Sequence, residues 1–238
     1  MTDPLPLAEV ILHNRTNKDC IQRNEIFCPD WLLHNGDRYV SPTVEHLELV
    51  AVSVLAGFVI AFSLAVIAHR RRWLATPVLG VTGALYTIPS IAALFLLIPI
   101  TGFGNMTAII ALTAYTLQII FRNVLAGLNN VPGESKDAAR GMGLTDNQML
   151  WKVEIPLALP EIFAGLRIAT VSTVALAALA VLAGGGGLGT EILIANKITF
   201  KTGIVTAGTI LILMAFFLDA ILFLLQRRLT PWRRVSIG

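Results

Sequence analysis

Three charged residues stand inside otherwise apolar stretches of this 238-residue chain: Arg122, Arg167 and Asp219. A charge in hydrocarbon is expensive and needs a partner, water or a route to the interface. The two arginines are long enough to snorkel to a membrane face, but Asp219 is not. Asp219 lies seven residues short of Gln226, Arg167 seven residues beyond Pro160, and Arg122 six residues short of Leu128. At 1.5 Å per residue of helix, all three fall roughly 10 Å inside one membrane face. The expectation is an intramembrane charge cluster in which Asp219 pairs with Arg167 or Arg122. The competing expectation is a carboxylate facing water in a vestibule.

The remaining reactive groups point away from catalysis. Cys20 and Cys28 are the only cysteines. Outside the membrane a pair so close most simply forms a disulfide. The same spacing is otherwise half of a metal site, but no histidine lies at ligand distance in the sequence, so no metal is expected. His13, His34, His46 and His69 fall in or beside polar segments, which places them at interfaces. No nucleophile–base pair occurs within the apolar stretches, so an enzyme is not expected. The glycine run at 184–189, GGGGLG, lacks the Lys-Ser/Thr of a phosphate loop and is expected to form a flexible turn. Tyr86, Phe95, Phe103, Tyr115 and Phe121 could line a cation's path or simply pack helices, and no substrate-binding residue is singled out.

These groups must be positioned by a membrane protein. Hydrophobic residues make up 55% of the chain and charged ones 14%, and from Trp73 to Phe121 there is no charge in 49 residues. Two membrane spans with a tight turn need such a stretch, and a soluble core does not. Five spans are expected: 49–68, 78–98 (broken by Pro89 and closed by Pro99), 106–128, 160–183 and 203–225. This is an all-α integral membrane protein with a polar segment at 1–48, a five-span unit at 49–228 and a basic tail at 229–238. The net charge of +3 gives no reason to expect nucleic acid. Nothing in the first 48 residues resembles a signal peptide. With the N-terminus outside, twelve Lys and Arg fall inside and six outside, as the positive-inside rule asks. That orientation puts the C-terminus in the cytoplasm and both cysteines outside.

The polar interruption at 129–160 carries its own helix signals. Asn129-Asn130 and Pro132 suit the start of a helix over 133–141. Gly143 suits an elbow, and Thr145 with Gln148 forms a capping-box pattern. The second helix is expected to end near Val153, because Pro156 disfavours helical geometry at Ile155. Such short helices need a surface to lean on. Met142, Leu144, Met149, Leu150 and Trp151 supply apolar surface, part of which is expected to pack on the chain's own membrane helices and the rest to meet a groove of a partner or the lipid headgroups.

Asp137-Ala138-Ala139, Gly143 and Val153-Glu154-Ile155-Pro156 resemble, in type and spacing, the EAA signature of permease subunits of binding-protein-dependent ABC importers. Asp137 stands for the usual Glu, Val153 for Ile and Ile155 for Leu. The run KVEIPLALPEIFAGLRIATVSTV, followed by GGGGLG, is similar to the branch that imports glycine betaine, carnitine, choline and related osmoprotectants. The resemblance implies a type I ABC importer-like permease fold in a bacterial inner membrane. It assigns Asp137, Ala138, Ala139, Gly143, Met149, Leu150, Trp151 and Pro156 to coupling with the ATPase. It implies a second permease subunit, a cytoplasmic ABC ATPase dimer and an extracytoplasmic substrate-binding protein, all within the lipid bilayer's reach. ATP and magnesium would be bound by the ATPase, with no cofactor in this chain. The glycine run would lie near the receptor. An amino-acid importer of the methionine type shares the five-span plan, and an ATP-independent channel or secondary transporter is the alternative of a different class.

Overall fold

Apolar stripes at helical spacing arrange this chain around one central helix. The computed structural model describes residues 23–232, and among them every regular element is helical. Helix α1 (Pro29–Asn35) leads through a 3-10 turn into α2 (Val40–Arg70). Next come α3 (Ala75–Thr87), α4 (Ser90–Thr101) and α5 (Asn105–Asn129). The polar hairpin holds α6 (Gly133–Gly141) and the single turn α7 (Asp146–Met149). A π-turn (Leu150–Glu154) joins it to α8 (Ile155–Ala177), followed by α9 (Leu188–Lys197) and α10 (Lys201–Leu229).

Among the described residues, four helical runs are long and apolar enough to cross a membrane: Pro29–Arg70, Asn105–Asn129, Asp146–Ala177 and Lys201–Leu229. The α3–α4 pair, bent by 97°, makes a fifth if the two are one span. The break falls at Ile88-Pro89, as Pro89 led one to expect, because a proline disfavours helical geometry in the residue before it. Pro99 does not close the span. It sits inside α4, which ends at Thr101 where Gly102 turns to φ 79°.

Helix α5 is the hub, with α2, α3, α4 and α8 all packed on it. Its buried stripe (Ala108, Ala111, Leu112 and Tyr115, then Phe121, Val124 and Leu128) follows the three-and-four spacing of one helix face. On α2 the facing residues include Ala61, Ala65 and Ala68, all essentially inaccessible. Small side chains let helices approach where lipid provides no hydrophobic drive. Helix α10 packs mainly on α8 and α9. Its buried side is confined to Thr202, Gly203, Thr206, Ala207 and Met214, and Leu213, Phe216 and Phe217 face outward.

The N-terminal segment is largely helical. Helix α2 contains the expected span 49–68 and begins ahead of it, at Val40. Proline at position 42 is compatible with a first helical turn, where its missing N–H is not needed. The described residues before it pack against the bundle. Trp31 is buried edge-on against Phe200 and Tyr39, with ring centroids 4.9 and 6.2 Å away. Arg38 Nε donates to Glu191 Oε2 at 2.5 Å, and Thr202 Oγ1 donates to the Glu25 carbonyl at 2.8 Å. The segment 23–39 is a strap across the α9–α10 corner. Cys28 lies in this buried cluster and is not a free thiol. Cys20, the other half of the expected pair, lies outside the described residues, as do His13 and the tail residues beyond 232.

The glycine run is also not the free turn expected. The Gly186 N–H donates to Asn105 Oδ1 at 2.9 Å and the Gly187 N–H to Glu45 Oε2 at 3.1 Å. A Cβ on Gly189 would lie 2.0 Å from the Ala178 carbonyl oxygen, so the backbones touch there. These contacts pin the corner between α8 and α9.

Candidate functional site

The hairpin between α5 and α8 is built largely from local signals. Helix α6 spans the residues expected, but Asn129 and Asn130 do not cap it: Pro132 occupies the N-cap position, and Asn129 and Asn130 close α5 instead. Gly143 makes the elbow at φ 79°, with open space around the place a Cβ would take. Positive φ, not crowding, is therefore what makes glycine favourable there. The capping box is present, with the Gln148 N–H donating to Thr145 Oγ1 at 3.4 Å and the Thr145 N–H to Gln148 Oε1 at 2.9 Å.

Beyond the cap the chain departs from expectation. The helix does not stop near Val153. It passes through the π-turn, where the Ile155 N–H donates to Leu150 O, and continues as α8. Pro156 falls in the first turn of α8, a place that needs no intrahelical donor. Pro160, expected to open the span, lies inside α8.

The displayed surface is correspondingly smaller. Met142 and Trp151 are 71% and 60% exposed, and Asp137, Ala138 and Gly143 are exposed with them. Met149, Leu150 and Ala139 are buried, Leu150 within the cluster that includes Leu128 and Val131. Those three residues seat the hairpin on the bundle rather than present it to a partner. Pro156 is half-buried.

Sequence reasoning missed the polar joint beneath the hairpin. Glu154 is 5% exposed. Its oxygens lie 3.2 Å from Lys136 Nζ on α6 and 3.1 Å from His69 Nε2 on α2. The available signal was a lone carboxylate in the run VEIPLALP, followed two residues later by proline.

In the membrane-spanning part, Arg167 of α8 and Asp219 of α10 form a bidentate pair, with Nε and Nη2 each 2.7 Å from a carboxylate oxygen. The Arg167 guanidinium also stacks over Phe223, 5.0 Å from the ring centroid. The pair borders a groove of about 630 Å³ between the two helices, walled by Ile168, Val171, Ile212 and Phe216. Arg122 is exposed and stays outside the pair, so the structure brings together two of the three residues in the expected cluster. Among the described residues no group of His, Cys, Asp and Glu could hold a metal ion.

The aromatic residues do not form one lining. Phe121 is buried, Phe95 and Phe103 face outward, and Tyr86 meets Tyr115 edge-on at 5.9 Å. Tyr115 Oη donates to the Ile88 carbonyl at the bend between α3 and α4. His46 is turned into the protein rather than outward. It is inaccessible within α2, with Nε2 3.0 Å from the Val174 carbonyl oxygen.

Comparison with known proteins follows the same lines. The family model described as "Binding-protein-dependent transport system inner membrane component" matches residues 53–235. The osmoprotectant import permease protein OsmW of Salmonella typhimurium is 41% identical over 208 residues, 84% of this chain and 96% of that protein. The choline transport system permease protein OpuBB of Bacillus subtilis is 33% identical over 84% of this chain and 93% of its own length. The glycine betaine/carnitine/choline transport system permease protein OpuCB of the same organism is 34% identical with the same coverage. Among solved structures, a chain of the inward-facing MetNI methionine ABC transporter superposes with a TM-score of 0.74 at 26% identity, covering 81% of this chain and 96% of that one.

Proposed function

This chain belongs to the binding-protein-dependent transport system inner membrane components, and from that premise we propose that it imports a small osmoprotectant. It is the membrane-spanning permease subunit of an ATP-driven ABC importer, a transport subunit rather than an enzyme, with a type I importer fold. The observation that carries the substrate class is the 41% identity to an osmoprotectant permease over nearly that protein's whole length. Glycine betaine, carnitine and choline are named for other relatives.

The partners follow from the family: a separate ATPase and a separate substrate-binding protein. A second permease subunit, identical or a sibling, completes the path; the broad outward face of α10 (Leu213, Phe216, Phe217) supports a neighbour of lipid or protein there. The positive-inside count supports an outside N-terminus and a cytoplasmic hairpin. In that orientation Asp137, Ala138, Met142, Gly143 and Trp151 form the face offered to the ATPase, while Met149, Leu150 and Ala139 hold it in place. ATP and magnesium belong to the ATPase. ATP-driven closure of the ATPase dimer draws the paired hairpins together and turns the path outward to receive ligand from the receptor. The exposed Met142–Trp151 face suits groove docking, which a channel or secondary transporter does not need.

Proteoliposomes holding the complete complex test the assignment. ATP-dependent uptake of glycine betaine, carnitine or choline, abolished by an inactive ATPase, is expected. Uptake of methionine alone would move the chain to the amino-acid importers. Uptake that ignores the ATPase would place it among channels or secondary transporters.

A further inference from the structure

Four pieces of backbone converge on Glu154. The residue ends the π-turn, one position before α8 begins. Lys136 reaches it from α6 and His69 from the last turn of α2. The second ring nitrogen of His69 lies 2.9 Å from Oδ1 of Asn129, the last residue of α5. A parallel tie joins α2 to the capped turn, with Arg70 Nη2 donating to Asn147 Oδ1 at 2.5 Å.

A carboxylate this buried is held by its partners, and removing one leaves an uncompensated charge. The contact therefore resists opening more than a surface ion pair would. It also bridges the place where the backbone is least regular, since a π-turn interrupts the α-helical ladder and recurs at functional sites. Without the tie, the hairpin could hinge at that turn and at the Gly143 elbow independently of the bundle.

We propose that Glu154 is a positioning residue: through Lys136 and His69 it locks the hairpin to the cytoplasmic ends of α2 and α5. Displacement of the hairpin then moves these helix ends and the start of α8 as one body. The inference rests on the importer reading above and adds the joint that carries the motion from the ATPase into the membrane.

The test uses the reconstituted complex of permease, ATPase and receptor, with glycine betaine as the transported probe. Glu154→Gln and Lys136→Met are expected to retain the ATPase through gel filtration and to hydrolyse ATP within about twofold of wild type. Substrate moved per ATP hydrolysed is expected to fall at least fivefold, with partial recovery in Glu154→Asp. Spin labels on Arg72→Cys and Glu134→Cys, both exposed positions, read the joint without any substrate. In the wild-type background their separation stays constant between nucleotide-free and ATP-trapped states, and with Glu154→Gln it broadens or shifts. An unchanged transport-to-hydrolysis ratio in both variants overturns the proposal, even if their stability falls. So does a wild-type label distance that changes with nucleotide. A wild-type chain that fails to assemble with the ATPase instead overturns the importer reading itself, and with it the joint.

Discussion

Breaking the Arg167–Asp219 pair is the sharpest test of how α10 is held. Two charge-assisted hydrogen bonds at 2.7 Å link α8 to α10, and the two side chains are 29% and 30% exposed. Hydrogen bonds to charged groups contribute about 1.5–3 kcal/mol net, and this burial lies between an exposed pair and one fully enclosed, where breaking a side costs about 3–5 kcal/mol. A coupling energy of about 2 kcal/mol is the expectation from these bounds.

The two halves are not equivalent. With Asp219→Asn, the arginine keeps its stacking on Phe223, which contributes about 0.5–1 kcal/mol, and it has the length to snorkel. Arg167→Gln instead strands a short carboxylate inside the apolar stretch of α10, without the reach to snorkel. Arg167→Gln should therefore cost more than Asp219→Asn. The double variant should cost less than the sum by the coupling energy, and Arg167→Met with Asp219→Leu should approach wild-type stability, because an apolar pair has no charge to desolvate. Unfolding of the purified permease in nanodiscs, run as a double-mutant cycle, measures all four corners. Coupling below about 0.5 kcal/mol, the spread expected of independent sites, would refute the pairing as a stabilising link. Equal costs for the two single variants would refute the snorkelling argument.

Gly143→Val is expected to leave the protein inserted in the membrane but to weaken ATPase association and transport, since φ 79° costs an L-residue about 1–2 kcal/mol. Because the space around Gly143 is open, Gly143→Ala should do nearly the same and Gly143→Asn less; full transport and association in Gly143→Val would end the coupling role. Gly189→Ala should lower the melting temperature of the purified protein, with overpacking costing about 1–3 kcal/mol, because its Cβ meets backbone 2.0 Å away. Mass spectrometry without reduction should find Cys20 linked to Cys28, a closure contributing about 2–3 kcal/mol. Replacing both by Ser should reduce stability, since Cys28 sits in the buried strap; two thiols alkylated without reduction would exclude the link.

What the sequence made legible was local or additive. The bounds of α6 and the Thr145–Gln148 box depend on neighbours three or four residues away, and the structure reproduces them. Depth along a helix is a count of residues, so Asp219 and Arg167 could be set at one level before any packing was known. The choice between Arg167 and Arg122 was not available, because it depends on which face of which helix adjoins α10, and α10 packs on α8. The facing of Met149 and Leu150 was hidden for a related reason. Which members of that apolar set turn inward is decided by where the bundle lies, and Leu150 joins the cluster that includes Ala61, Leu128 and Ile162. Pro156 misled because proline in a first helical turn costs little, and the turn before it had already left the regular ladder. Glu154 and His69 are 85 residues apart in sequence and 3.1 Å apart in space. Neither residue has a local pattern that names the other. A buried carboxylate that must find a partner somewhere is as far as sequence chemistry goes, and the helix bundle supplies the partner by bringing the ends of α2, α5 and α6 to the same place.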